Sequence, residues 1–286
     1  MKILILGASG FLGKYLVDFL TKKKLDITTC GRKASNNIRI KNYNRKNLTK
    51  VLLKLKPEIL INLVAITNVD LCEKNKSFSK EINTNISKDL SKILIRHKIK
   101  VKMIFISTDQ LYDGEKNSIE KNIKISNNYC RSKLNAEKFV IKSNGCVLRT
   151  NFFGVSKNSK SLVNWIIKSN RKKSFINVYE NIYFSPLYVK TLCKYIYLFC
   201  LKNSVGVFNL GSNGCISKSE FAFYLIKKLK LNQKYLIKSK YSKHALYAKR
   251  PKNMCMNSEK FYKKFKIKRK NPYQELNLML RDIKLL

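Results

Sequence analysis

The chain opens on Lys2-Ile-Leu-Ile-Leu-Gly-Ala-Ser-Gly-Phe-Leu-Gly13, and no other stretch constrains the fold as strongly. Ile3 to Leu6 form a short, unbroken apolar run, the pattern of a parallel strand buried on both faces. Gly7, Gly10 and Gly13 follow at three-residue intervals, and Leu12, Leu16, Phe19 and Leu20 then recur with helical spacing. Strand, glycine turn and helix in this order suit a dinucleotide. Gly7 frees the turn, Gly10 lets the backbone approach a pyrophosphate, and Gly13 permits close packing of the helix that begins near Phe11. The helix N-terminus offers its unpaired N–H groups to the phosphates.

Further along, apolar runs and helical patterns keep alternating. Strands are expected over Asp26–Cys30, Asn37–Ile40, Glu58–Val64, Val101–Ile106 and Gly145–Leu148, with helices over Leu48–Leu55, Phe78–His97 and from Asn128 onward. This is the signature of a doubly wound α/β sheet. Gly7, Ala65, Thr108 and Asn151 all fall at carboxyl ends of such strands, the edge where ligands bind. The regularity loosens after about Phe152. Leu162–Lys168 and Pro186–Leu201 read as helices, Val205–Leu210 as a strand, and Ser217–Leu229 as a helix opened by a serine cap with Glu220 three residues on. The expected architecture is a Rossmann-type doubly wound parallel sheet over residues 1–151 and a smaller C-terminal α/β substrate-binding lobe over 152–286, without a sharp boundary.

Where the second strand ends, a dinucleotide fold faces the adenosine ribose. An acidic residue there selects NAD, and a basic one accommodates the 2′-phosphate of NADP. This chain has Gly31-Arg32-Lys33 and no acid. Arg32 therefore argues for NADP, with NADPH preferred over NADH.

Net charge is the extreme feature of the composition: 60 Lys and Arg against 17 Asp and Glu give +43 over 286 residues. The basic residues are spread from end to end and accompany no RNA- or DNA-binding motif, so they read as a surface bias without a specific nucleic-acid partner. Such a surface still attracts anionic substrates. Eight cysteines form no Cys-x-x-Cys pair, and His97 and His244 stand far apart, which argues against a metal site and against a disulfide framework. The chain reads as reduced and cytoplasmic. Lys190 and Lys194 interrupt its most apolar later segment, Leu187–Leu201, so no membrane partner is expected.

The chemistry points to hydride transfer with proton donation. Tyr-x-x-x-Lys places a phenol and an ammonium on one face of a helix, where the cation lowers the phenol pKa from about 10. The pattern occurs four times, at Tyr112/Lys116, Tyr129/Lys133, Tyr224/Lys228 and Tyr262/Lys266. Only Tyr129/Lys133 opens a helix of the nucleotide half after a strand that ends in Ser107-Thr108-Asp109. Context selects it.

Together, the glycine turn, Ser107-Thr108-Asp109, Tyr129-x-x-x-Lys133 and Leu148-Arg149-Thr150 resemble the extended short-chain dehydrogenase/reductases. Within that superfamily, Asn62-Leu-Val-Ala-Ile-Thr-Asn-Val-Asp-Leu-Cys-Glu73, Ser107-Thr-Asp-Gln-Leu-Tyr-Asp-Gly114 and Arg250-Pro-Lys-Asn253 resemble the dTDP-4-dehydrorhamnose reductases. The resemblance implies reduction of a 4-keto nucleotide-sugar with NADPH or NADH. In it Tyr129 is the proton donor, Lys133 holds the nicotinamide ribose and tunes Tyr129, Thr108 donates to the keto oxygen, and Asp109 sits beside the substrate. Cofactor contacts fall on Gly7, Ser9, Gly10, Phe11, Leu12, Gly13, Arg32, Ala65 and Lys133, and substrate contacts on Thr67, Asp109, Asn151 and Arg250. The partner is an anionic nucleotide-sugar, and a homodimer is compatible with it. Two residues depart from the reductase branch: Gln110 stands where an aromatic is usual, and Asn151-Phe152-Phe153 lacks the common tryptophan. A nucleotide-sugar epimerase or dehydratase would use the same pair, and a non-catalytic NADP-binding regulatory subunit would share the fold.

Overall fold

The computed structural model describes residues 1–114, 116–155, 161–242 and 247–284. Two compact units share the chain. The first comprises Met1–Thr108, Asn127–Arg149 and Cys193–Phe208, and the second Asp109–Ser126, Thr150–Leu192 and Asn209–Leu286. The chain thus crosses between them repeatedly, and later residues return to the first unit.

In chain order the elements begin with β1 (Lys2–Leu6), α1 (Phe11–Lys22), β2 (Asp26–Gly31), β3 (Ile38–Arg39), α2 (Arg45–Leu55) and β4 (Ile59–Asn62). They continue with α3 (Val69–Lys74), α4 (Lys76–Ser79), a π-helical turn (Lys80–Asn85), α5 (Ile86–Arg96), β5 (Lys102–Thr108), α6 (Asn128–Lys142) and β6 (Cys146–Thr150). Next come β7 (Phe152–Phe153), α7 (Leu162–Arg171), β8 (Ile176–Tyr179), β9 (Tyr183–Phe184), β10 (Leu187–Tyr188), α8 (Val189–Leu201) and β11 (Gly206–Leu210). The last are β12 (Ile216–Ser217), α9 (Lys218–Lys228), β13 (Leu236–Ser239), β14 (Asn253–Met254), α10 (Glu259–Phe265) and α11 (Pro272–Lys284).

Among the described residues, seven strands form one sheet in the order β11-β6-β5-β4-β1-β2-β3. β1 pairs in parallel with β2 and β4, β2 with β3, and β4 with β5. The order runs outward in both directions from β1 and β4, so the crevice at their carboxyl ends is the switch point of a doubly wound fold. Central strands buried on both faces explain the unbroken apolar runs: Ile3 to Leu6, Ile59 to Ile61 and Met103 to Phe105 are all buried. Against one face, Leu48 and Leu52 of α2, Leu90 and Ile93 of α5, and Ala136 and Val140 of α6 join Leu4, Leu60 and Phe105 in one core cluster. Asn44 and Asn127 cap α2 and α6, their side chains accepting from Asn47 N and Cys130 N, each at 2.9 Å.

The second unit has a parallel β8–β13 pair and a three-stranded sheet in the order β12-β9-β14. Phe221 of α9 packs edge-on to Phe153 at 5.1 Å and lies 5.6 Å from Phe184. The expected serine cap of α9 is a full capping box: Ser217 Oγ accepts from Glu220 N at 3.0 Å, and Glu220 Oε2 accepts from Ser217 N at 2.7 Å.

Three expectations need correction. The helix read over Phe78–His97 is interrupted by the π-helical turn, which re-aims Asn83 and Thr84 toward α6. The segment from Pro186 begins as the strand β10, because Leu187 N donates to Asn151 O at 2.9 Å and β10 pairs in parallel with β7. Cys215 and Cys255, read as thiols, form a disulfide with Cα atoms 5.7 Å apart. The other six cysteines lie outside that bond and are buried, and burial pushes the Cys30, Cys193 and Cys200 thiols up to about 11, 12 and 12. His244 lies outside the described residues. Among the described residues no helix is long and apolar enough to cross a membrane.

Candidate active site

The glycine turn follows β1. Gly7 adopts φ +81°, a left-handed conformation, and a Cβ there would stand 3.0 Å from the backbone of Leu63 and Val64. Gly13 is needed for a different reason: its Cβ would stand 2.5 Å from the Ala8 carbonyl oxygen, so only glycine lets α1 lie this close to the turn. Gly10 caps α1 with no side-chain hydrogen bond, and Ser9 and Phe11 beside it are partly exposed while Leu12 is buried. Arg32 is exposed just beyond β2. It acts electrostatically on the Tyr43 phenol, whose hydroxyl also meets the Gly7 N–H; desolvation, the larger effect, raises the Tyr43 pKa. Tyr43, in the polar stretch before α2, carries no sequence signal for this place.

Ala65 lies in the loop after β4, and Asn83 clamps that loop. Asn83 Oδ1 accepts from Ile66 N at 2.8 Å, while its Nδ2 donates to Ile66 O and to Ser132 Oγ, both at 3.1 Å. Thr84 Oγ1 adds a bond to Ser132 O at 2.9 Å. The loop is thereby tied to α6, the helix that carries Tyr129 and Lys133. Thr67, next along, is exposed.

On α6, Tyr129 and Lys133 are both buried, at 6% and 2% exposure. Lys133 Nζ donates to Ile106 O at 2.7 Å and lies 4.0 Å from the Phe105 ring centroid. Burial drives its pKa down to about 7, against the opposing pull of Glu137 and Cys72. Glu137 is itself held by Arg149, with Nη2 to Oε2 at 2.6 Å, and by Ser107 Oγ. This buried pair locks α6 onto β5 and β6. Thr108, the last residue of β5, is buried.

The other Tyr-x-x-x-Lys pairs have different employment. Tyr112 donates to Asn209 Oδ1 at 2.6 Å, Tyr262 donates to Gly211 O at 2.9 Å with Lys266 beyond the end of α10, and Lys228 lies over the Tyr224 ring at 5.5 Å.

Within the second unit, a cavity of about 280 Å³ is lined by Gln110, Asn151, Trp165, Tyr179, Lys218 and Arg250, with aliphatic side chains between them. Asn151 Nδ2 donates to Asp109 Oδ2 at 2.8 Å, which fixes the Asp109 carboxylate. The Arg250 guanidinium donates to Ala248 O at 2.8 Å. Gln110, Asn151 and Arg250 thus share one cavity, and Asp109 is held at Asn151. Trp165 and Lys218, which sequence reasoning passed over, join them; an aromatic on a helix and one lysine among many offered no distinguishing pattern. A second depression of about 810 Å³ runs along β3 and α2, cationic like the rest of the surface and remote in sequence from these residues.

A sheet in the order 3-2-1-4-5-6, with β11 beyond β6 and its β3 to β5 strands parallel, together with a glycine turn at the switch point and a buried Tyr-x-x-x-Lys pair, is the architecture of the short-chain dehydrogenase/reductases. More narrowly, the family model for the RmlD substrate binding domain matches residues 1–285, and the chain belongs to that family. It is 24% identical over 294 residues to a dTDP-4-dehydrorhamnose reductase of Aggregatibacter actinomycetemcomitans, covering 93% of this chain and 94% of that protein. It is 29% identical over 270 residues to a dTDP-D-glucose 4,6-dehydratase of Dictyostelium discoideum, covering 79% and 61%. The fold matches the crystal structure of dTDP-4-dehydrorhamnose reductase from Bacillus anthracis in complex with NADP at a TM-score of 0.88 and 23% identity, over 99% of this chain and all of that one.

Proposed function

We propose that this protein reduces a 4-keto nucleotide-sugar with NAD(P)H, Tyr129 protonating the alkoxide as it forms. The observation that carries the reading is Lys133, a buried ammonium four residues after Tyr129, anchored to Ile106 O and stacked on Phe105 where β5 leads to Thr108. A lysine is rarely desolvated this far without a partner or a task. Family membership and the curated reductase relative support the same activity.

The residues present fit a dinucleotide. The turn at Gly7, Ser9, Gly10, Phe11, Leu12 and Gly13 leads into α1 with no side-chain cap, a helix N-terminus suited to phosphates, and the Ala65 loop borders the same strand ends. Arg32 would meet a 2′-phosphate, which favours NADPH over NADH. When bound, the cofactor supplies the hydride. Lys133 would hold the nicotinamide ribose and, once charged, depress the Tyr129 pKa; Thr108 would donate to the keto oxygen; Asp109, oriented by Asn151, would accept from the sugar. Thr67 and Arg250 complete the proposed substrate contacts.

The test is a panel of dTDP-, UDP-, GDP- and CDP-linked 4-keto sugars, with loss of dihydronicotinamide absorbance as the readout. Stoichiometric NADPH consumption with one of them is expected. Turnover of a sugar nucleotide with no net consumption of cofactor would identify an epimerase or dehydratase. NADP binding without turnover of any of them would leave a regulatory subunit.

A further inference from the structure

Lys218 is the first residue of α9, directly after the Ser217 cap, and it lines the second-unit cavity with Arg250. A cation in that place meets two penalties. The positive end of the helix dipole opposes it, and desolvation holds its ammonium down to about 8, against the opposing pull of Asp109. Compensation is local: the ammonium lies over the Phe184 ring at 3.2 Å, and the Asp109 carboxylate acts on it electrostatically. Glu220, three residues on, is not its counter-ion, because that carboxylate closes the capping box with Ser217 N at 2.7 Å.

A lysine-rich composition explains ammonium groups on open faces. It does not explain one drawn over an aromatic ring inside a cavity, at the wrong end of a helix. Among the described residues the cavity lining has two cations, Lys218 and Arg250, and no carboxylate. Its walls carry Trp165, Tyr179 and aliphatic side chains. Flat apolar surface beside paired cations suits a base joined to a diphosphate, and Asp109 places Lys218 near the sugar end.

We propose that Lys218 is a specificity-determining residue that binds the diphosphate of the nucleotide-sugar, so that the cavity selects a diphosphate-linked ligand over the bare nucleoside. This rests on the nucleotide-sugar reading above. In apo protein Asp109 shares the ammonium, and an arriving diphosphate displaces it, leaving the carboxylate to the sugar hydroxyls.

Calorimetric titration of the full chain with dTDP and with thymidine tests this in the wild type, Lys218→Met and Lys218→Arg. Lys218→Met is expected to weaken dTDP by about 10- to 100-fold, as one lost charge-assisted hydrogen bond does, and to leave thymidine unchanged. Lys218→Arg is expected to stay within about threefold of the wild type for dTDP. Equal dTDP affinity in Lys218→Met, or equal losses for dTDP and thymidine, overturns the assignment while leaving the nucleotide-sugar reading intact. A wild type that binds neither dTDP nor UDP overturns both. Should Lys218→Met fail to fold, Lys218→Gln is titrated in its place under the same criteria.

Discussion

Lys133 shows at the scale of one residue how burial shifts a titration. Its ammonium, anchored to Ile106 O, has a pKa near 7, whereas an unfolded lysine titrates near 10.4. Above pH 7 the unfolded chain therefore binds a proton at this site that the native chain does not, and stability rises with pH. Measured against Lys133→Met by urea unfolding, the wild type should gain up to about 1.4 kcal/mol per pH unit between pH 7 and 9 and nothing below pH 6. Tyr129→Phe removes the proposed proton donor without opening a cavity. We expect kcat to fall by about 10²- to 10⁴-fold with NADPH affinity kept, as steady-state kinetics and fluorescence titration would show. For Arg32→Ala, the ratio of kcat/KM with NADPH to that with NADH should drop by about tenfold or more, the cost of one charge-assisted bond to phosphate. An unchanged ratio would remove Arg32 from cofactor selection.

Among the elements, the π-helical turn before α5 joins parts that are distant in sequence. A regular helix would carry Asn83 past both of its targets, whereas the wider turn lets one amide serve the Ala65–Ile66 loop and Ser132 of α6 together. Asn83→Leu keeps the volume, strands the Ile66 N–H and leaves Ile66 O only the weak Cys72 thiol donor at 3.6 Å. Chemical denaturation should show a loss of about 2–4 kcal/mol. NADPH affinity should weaken as well, because the Ala65 loop is no longer tied to α6. In sequence this region reads as one amphipathic helix because Ile82, Ile86, Leu90 and Ile93 keep helical spacing through it. An inserted residue shifts that phase too little to be noticed. β10 escaped for a related reason: two residues paired to β7 leave no periodic trace, and the apolar run continues into α8.

The whole molecule carries +43 charges. Such a net charge attracts anions without specific contacts, and it leaves the apolar core of the sheet untouched. Duplex DNA of unrelated sequences should therefore bind weakly and alike, with affinity falling steeply as salt is raised from 50 to 200 mM, an approximate window in which counterion release dominates. Sequence-selective binding that survives the higher salt would require a dedicated surface. The first unit takes in Cys193–Phe208 and the second Asp109–Ser126, so segments from both sides of residue 151 contribute to each unit.

Local rules carry the doubly wound class and the glycine turn, and they single out Tyr129/Lys133 as the candidate among four identical spacings, since strand runs, left-handed glycine and helix periodicity all act over a few residues. Tertiary structure alone decided the depth of Lys133, the clamp by Asn83, the Cys215–Cys255 bond and the gathering of Trp165, Lys218 and Arg250 around one cavity. Each of these depends on which distant segments meet and on how completely they exclude water. Spacing along the chain encodes neither.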